Sequence, residues 1–400
     1  MARLRRLVPG ALVLALAACT SLPYRAQPTP TPPAVTTSDR LIVLRTDGNL
    51  VSMAPDGTDV VPLTTDAGPD VVVDQPVASP DGRFLAWVEI RSEQPSLVTA
   101  ARSGQLLQSV PMGIAPFFLQ WDPTSTNIAY LGNAQTGIGM GVVENATTTP
   151  DDVAVGGGSP FYLSWSPNGQ RLLVHVGTDQ LGFTDLQHGL RELHDRPGTF
   201  QAPVWLPDGR TVYDRLDGTQ QRLVVVNGDH QRALADVTGS VAFVASPDGR
   251  RIAYRVDGGT ASQDGVYVRP IDGGRPTLVT HTGAPAFFWS PTGDELLLLT
   301  VSGSGADRIA RWRVWSGNEL LATDPYRPSQ TFGQRYLPFF DQYAQAFTPW
   351  APDGSAFAFA GEIDGRSGIY VQRIDGGAPT FVSDGEFVLW SPPERATSTN

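Results

Sequence analysis

Histidine, cysteine and lysine are the side chains that most often hold metals, attack carbonyls or form imines. This sequence is sparing with all three. Among its 400 residues are five His (His175, His188, His194, His230 and His281), one Cys (Cys19) and no Lys, so all 29 basic side chains are Arg. Without Lys there is no phosphate-cradling Gly-x-x-x-x-Gly-Lys loop and no Schiff-base amine. A lone Cys excludes an intrachain disulfide and a Cys-based zinc site. Neither a Gly-x-Ser-x-Gly nucleophile elbow nor a His-Glu-x-x-His pair occurs. No catalytic residue, metal site or cofactor is therefore expected, and paired carboxylates such as Asp151-Asp152 read as solvated loop charge.

Recognition is a different matter. Residues 324–345 gather Tyr326, Phe332, Tyr336, Phe339, Phe340 and Tyr343 with Arg327, Arg335 and Asp341 interspersed. Tyr and Arg dominate binding hot spots, and so many aromatics argue against disorder. This cluster, with His281, forms the candidate binding surface. A net charge of −11, without any basic run, argues against a nucleic-acid partner.

The scaffold that must position these groups is repetitive. An apolar strand, often ending in Trp, leads into Ser-Pro-Asp-Gly or a variant, and a second apolar strand follows. The eight prolines of this motif stand at 80, 123, 167, 207, 247, 291, 352 and 392. Pro presets φ at the first turn position, Asp bonds the backbone ahead, and Gly accepts positive φ. Later in each unit a second turn recurs, such as Asp272-Gly273-Gly274 or Asp375-Gly376-Gly377. Each unit thus holds four strands, A to D, in a meander, and a period near forty is a propeller signature. The Trp residues that end the A strands are read as packing between blades.

Residues 41–65 match strands B, C and D but lack A, while 386–391 match strand A and stop. One blade sewn from both ends would close the ring and remove its open edges. The fold expected is all-β: a single propeller of eight four-stranded blades, or seven if the weak unit 122–165 is not a blade. In this geometry A–B and C–D turns share one face, and B–C loops and D–A connections the other. His188 and His230 then point away from His281, so a converging His cluster is not expected. The interval from Pro291 to Pro352 is about twenty residues longer than the others, and the excess is the 324–345 segment. Read as a D–A connection, it shares a face with His281 and with the Gly156 and Ser302 loops. Two roles are open to it: packing onto blade six or seven or plugging the channel, or contacting a ligand or protein.

These motifs resemble the bacterial TolB-like β-propeller repeats, related in shape to WD-type propellers. The residues carrying the likeness are Ser79-Pro-Asp-Gly-Arg-Phe-Leu-Ala-Trp, Ser246-Pro-Asp-Gly-Arg-Arg-Ile-Ala-Tyr and Ile369-Tyr-Val-Gln-Arg-Ile-Asp-Gly-Gly. The resemblance covers nearly all of 41–392 and is specific for fold rather than activity. Such repeats occur in a periplasmic envelope component and also as the propeller of prolyl-oligopeptidase-type enzymes.

The first forty residues read as an address. Arg3, Arg5 and Arg6 precede an apolar run that ends in Leu16-Ala17-Ala18-Cys19. This is the shape of a secretory signal and resembles the bacterial lipobox. The expected organisation is a signal peptide at 1–18, a lipidated Cys19 with a Pro/Thr-rich tether at 19–40, the propeller at 41–393 and a tail at 394–400. The chain would then be a lipoprotein outside the cytoplasmic membrane, on the periplasmic side or the cell surface, touching the lipid bilayer only through Cys19. It is expected to be a monomer that binds an envelope protein or peptide without catalysis. The alternative is a hydrolase or lyase acting on envelope sugars or peptides.

Overall fold

The Ser-Pro-Asp-Gly turns fold on their own side chains. Ser79 Oγ donates to Asp81 Oδ1 at 2.6 Å and accepts from Phe84 N at 2.9 Å, while Arg83 N donates to the same Asp81 oxygen at 3.0 Å. The set recurs at Ser246, whose Oγ donates to Asp248 Oδ1 at 2.6 Å, and at Ser166, which meets Asn168 at 2.8 Å. Each turn therefore supplies its own hydrogen bonds, and an antiparallel strand pair leaves it in a set register.

Our computed structural model describes residues 39–135, 137–145, 158–159, 161–185, 189–192, 195–198, 201–258, 264–281, 283–303 and 309–395. All belong to the unit Thr31–Asn400; the segment Met1–Pro30, with Cys19, lies outside them. So do His188, His194, Asp151-Asp152 and Gly156. Among the described residues no helix is long and apolar enough to cross a membrane.

The strands form eight antiparallel sheets, the blades of one propeller. Blade 1 is assembled from both ends of the domain: Phe387–Ser391 pairs with Arg40–Leu44, which pairs with Leu50–Met53 and that with Val61–Pro62. Leu41 stands opposite Trp390. Blade 2 runs from Val71–Ala78 to Leu106–Pro111. The weak unit is a true blade: Pro116–Trp121, Asn127–Ala134 and Gly137–Glu144 pair in order, and Gly158 bridges to Ile138 in the place of a fourth strand. Blade 4 spans Phe161–Trp165 to Gly189–Glu192, blade 6 Ser240–Ala245 to Thr277–Thr280, and blade 7 Ala286–Trp289 to Glu319–Ala322.

Inner strands are packed on both faces and read as continuous apolar runs. All five residues of Phe161–Trp165 are buried, as are Leu296, Leu297, Leu298 and Leu299, whereas the outer strand Thr277–Thr280 is half open. Three of the six Trp residues that end an A strand stitch one blade to the one before. Trp165 Nε1 donates to Gln120 O at 3.3 Å, Trp289 Nε1 to Val244 O at 3.2 Å, and Trp350 Nε1 to Phe288 O at 3.0 Å. The acceptor is each time the carbonyl just before the equivalent position of the preceding blade.

Two inner strands are broken. In blade 5, Arg196–Pro197 and Val204–Trp205 pair separately with Thr211–Asp217. In blade 8, Arg327–Pro328 pairs with Glu362 and Gly361 of Ala356–Ile363, and the next pairing is a bridge from Trp350 to Phe357. The 324–345 segment is therefore not a D–A connection ahead of blade 8. The first inner-strand residues come before most of it, and residues 329–349 are an excursion out of that strand. Since A strands line the channel, the excursion starts inside the ring.

Candidate functional site

The excursion folds into short helical pieces: a π-helical turn at Phe332–Tyr336, a 3-10 turn at Leu337–Phe339 and an α-turn at Phe340–Tyr343. It meets the inner surface of every blade. Tyr336 stacks on Phe387 of blade 1, with centroids 4.0 Å apart and planes 11° from parallel. Tyr343 OH donates to Phe117 O of blade 3 at 2.7 Å, and its oxygen lies 3.1 Å from the side-chain amide of Gln75 of blade 2. Gln342 pairs with Leu163 of blade 4, and Asp341 Oδ2 accepts Ala202 N of blade 5 at 3.0 Å. Arg255 of blade 6 lies over the Phe340 ring, which packs 4.8 Å from Phe287 of blade 7. Ser329 N donates to Ala360 O of its own blade 8. The segment plugs the channel, the first of the two roles left open by the sequence; whether it also contacts a ligand turns on the residues it exposes.

The plug leaves a concavity at each mouth. On the A–B face a bowl of about 670 Å³ is floored by Ala344–Thr348 and ringed by turn prolines, among them Pro80, Pro247, Pro291, Pro352 and Pro392. On the B–C face a cleft of about 470 Å³ opens between the plug and blades 2 to 4. Its walls carry Phe117, Phe118, Phe161, Tyr162, Phe339 and Tyr343, with Asp74, Gln75, Asn133, Ser159, Gln334, Arg335 and Gln342 between them. A mainly apolar concavity with a few convergent polar groups is the usual form of a ligand site.

The cleft is built around an irregularity in blade 2. Its inner strand Val71–Ala78 slips register between Asp74 and Val77, and Gln75 takes φ +54° although it is buried. Bulges re-aim side chains, and a non-glycine residue held in the left-handed region is strain that the surroundings must enforce. Here Gln75 N donates to Asp74 Oδ1 at 2.9 Å, and Tyr343 OH holds the Gln75 amide. Asp74, turned into the cleft, forms an ion pair with Arg335 of the plug. Beneath the cleft, burial raises the Asp341 carboxyl above the ordinary value, opposed by the N–H of Ala202. Burial also pushes the Tyr343 and Tyr162 hydroxyls up, and Asp341 adds to the effect on Tyr162. These hydroxyls remain protonated donors.

The expected binding residues divide into three groups. Tyr336, Phe340, Asp341 and Tyr343 are buried, forming the body of the plug and its anchors; Tyr326, ahead of the excursion, is buried against Trp312 and Phe359, and Phe332 packs partly buried against Trp312. Arg335, Phe339 and one edge of Tyr343 reach the cleft. Arg327 lies by the other flank of the plug, 3.8 Å from Glu362, and His281 is exposed on blade 6 beside Asp264 O, outside the cleft. Asp74, Gln75, Asn133 and Tyr162 were not expected. The signal for the first two is a charge, an amide and a Pro at 74–76 inside an apolar strand, which marks a bulge. Among the described residues no group of three His, Cys, Asp or Glu could hold a metal ion.

Fold and site together define the class: an eight-bladed β-propeller whose channel is plugged from within one inner strand, with a cleft between the plug and blades 2 to 4. No family model matches the chain. An uncharacterized protein of Agrobacterium fabrum (strain C58) is 26% identical over 212 residues, 51% of this chain, and the chain spans 64% of that relative's length. A crystal structure of the eukaryotic initiation factor superposes with a TM-score of 0.57 at 12% identity, covering 89% of this chain and 99% of that one. TolB from Acinetobacter baumannii is also among the structural neighbours, at a TM-score of 0.41 and 15% identity over 73% of this chain and 65% of that one. At these identities the likeness is one of fold.

Proposed function

We propose that this protein is a non-enzymatic binding propeller of the cell envelope. It recognises a protein or peptide through the B–C face, in the cleft between plug and blades 2 to 4. In this reading diacylated Cys19 and the 19–40 tether hold it outside the cytoplasmic membrane, because two acyl chains anchor stably where one does not. The observation that carries the proposal is the cleft itself, an aromatic concavity presenting the strained Asp74–Gln75 bulge. The hydrolase or lyase reading needs an acid and a base placed on either side of a substrate bond. Among the described residues that line the cleft, Asp74 is the one carboxylate, and it is paired with Arg335. That supports recognition over acid–base work.

The test uses the full chain in its own membranes. Phe339 is 46% exposed at the lip of the cleft, so Phe339→Ala should leave thermal stability nearly unchanged. Asn133→Trp fills the cleft from its opposite wall. Both variants should lose the proteins that co-purify with the wild type after crosslinking. Unchanged recovery from both, with melting curves matching the wild type, removes the cleft as the site. Cys19→Ala should move the chain from the membrane fraction to the soluble one.

A further inference from the structure

Resting on the binding reading above, we propose that the cleft seats a cationic side chain, the guanidinium or ammonium of an Arg or Lys in an extended peptide, and that Arg335 is an internal stand-in for it.

The two halves of the Asp74–Arg335 pair are unequal. The Asp74 side chain is 19% exposed and the Arg335 side chain 50%. Asp74 is fixed on an inner strand, with its Oδ1 held by Gln75 N at 2.9 Å. Arg335 projects from the last turn of a π-helical segment that has no hydrogen-bonded side-chain cap. This asymmetry decides which partner a ligand can replace. An anionic ligand taking Arg335 would strand a largely buried carboxylate and place a second negative charge beside it, both unfavourable. A cationic ligand taking Asp74 releases Arg335, which is already half in water, at little cost.

The rest of the cleft suits the same ligand. Aromatic faces attract cations, and Phe117, Tyr162 and Phe339 line the same cleft as the carboxylate. Asn133 and Ser159 offer acceptor oxygens for the remaining N–H groups. Arg335 is the one basic residue on the walls, so its departure leaves nothing there to repel a cation. A net charge of −11 steers positive peptides toward the protein at low salt.

The experiment measures fluorescence anisotropy of a labelled pentapeptide, Ala-Ala-Arg-Ala-Ala, its Lys counterpart and its citrulline counterpart on the full chain. Citrulline keeps the shape of Arg and removes the charge. The Arg and Lys peptides should bind, and the citrulline peptide about tenfold or more weaker. Asp74→Asn should weaken the Arg peptide by a similar factor. Arg335→Gln should tighten it by about threefold to fivefold, because an internal competitor worth about 1 kcal/mol is gone. A gain of affinity cannot come from misfolding, so the pair of variants stays informative even if one is less stable. Equal binding of the citrulline peptide, or weakening by Arg335→Gln as by Asp74→Asn, overturns the proposal. If cationic peptides fail to bind while Phe339→Ala still loses the membrane partners, the ligand class is wrong and the binding reading stands. Failure of both removes both.

Discussion

The side-chain amide of Gln342 takes both main-chain groups of Leu163, accepting its N–H at 2.7 Å and donating to its carbonyl at 2.9 Å. Phe161–Trp165 is the innermost strand of blade 4, paired on one edge with Arg171–Val176 and facing the channel with the other. A free buried edge leaves polar groups without partners, and here one glutamine supplies both bonds that a further strand residue would. Gln342→Leu keeps much of the volume and loses both bonds. Each stranded buried group costs about 1–3 kcal/mol, so the variant should lose about 2–5 kcal/mol in urea unfolding. Gln342→Glu keeps the acceptor but not the donor, and should also be destabilised at neutral pH. Wild-type midpoints for both would mean that the plug is not held here.

The ring seam makes a second prediction. Gly82 has φ +71°, and a Cβ there would stand 2.3 Å from Pro392 O, where the end of the domain passes the first complete blade. Gly228 has φ +57° with open space around it. Gly→Ala at 228 should cost only the backbone strain, about 1–2 kcal/mol. Gly82→Ala must in addition move the closing segment and should cost clearly more. Equal losses at the two positions in denaturant melts would show that the seam is slack.

The indole stitches give a third. Trp350 is fully buried and its N–H reaches Phe288 O at 3.0 Å, 62 residues away. Trp350→Phe leaves that carbonyl one bond short and opens a void, so a loss of about 2–4 kcal/mol is expected. Trp165→Phe breaks a longer bond of 3.3 Å and should cost less. The order of the two, read from unfolding curves, tests whether the bond or the packing dominates.

These stitches belong to the part of the fold that was legible from sequence. Ser-Pro-Asp-Gly turns are closed by bonds between residues at most five apart, so eight copies announced eight blades, and the half-units at 41–65 and 386–391 announced the seam. The position of the plug was not legible. Whether residues 324–345 precede an inner strand or interrupt it depends on Arg327–Pro328 pairing with Glu362 and Gly361. Two residues, one of them Pro, lie below any strand signal. The aromatic and charged composition of the segment was read correctly as ordered, but composition cannot say which rings turn inward. The cleft was hidden for another reason. Its ion pair joins Asp74 to Arg335 across 261 residues, and its bulge is made without glycine, the usual marker of positive φ.

Asp341 makes the last prediction. Its side chain is buried at the heart of the plug, and desolvation lifts its carboxyl above the ordinary 3.8. The folded protein therefore keeps this proton to higher pH than the unfolded chain does. Between the two values the folded state binds more protons, so this group favours folding most in acid and loses that contribution as pH rises through its folded value. Asp341→Asn retains an oxygen for the Ala202 N–H and does not titrate. The stability of the variant minus that of the wild type should accordingly grow more favourable as pH rises above the ordinary carboxylate value. Taking the difference cancels the carboxylates that run the other way, such as Asp272 and Asp353, whose partners hold them below the ordinary value. Parallel stability curves above that value would show that Asp341 is charged in the folded protein, and the plug would then carry a paid-up negative charge in its centre that no neighbouring cation but Arg255 could offset.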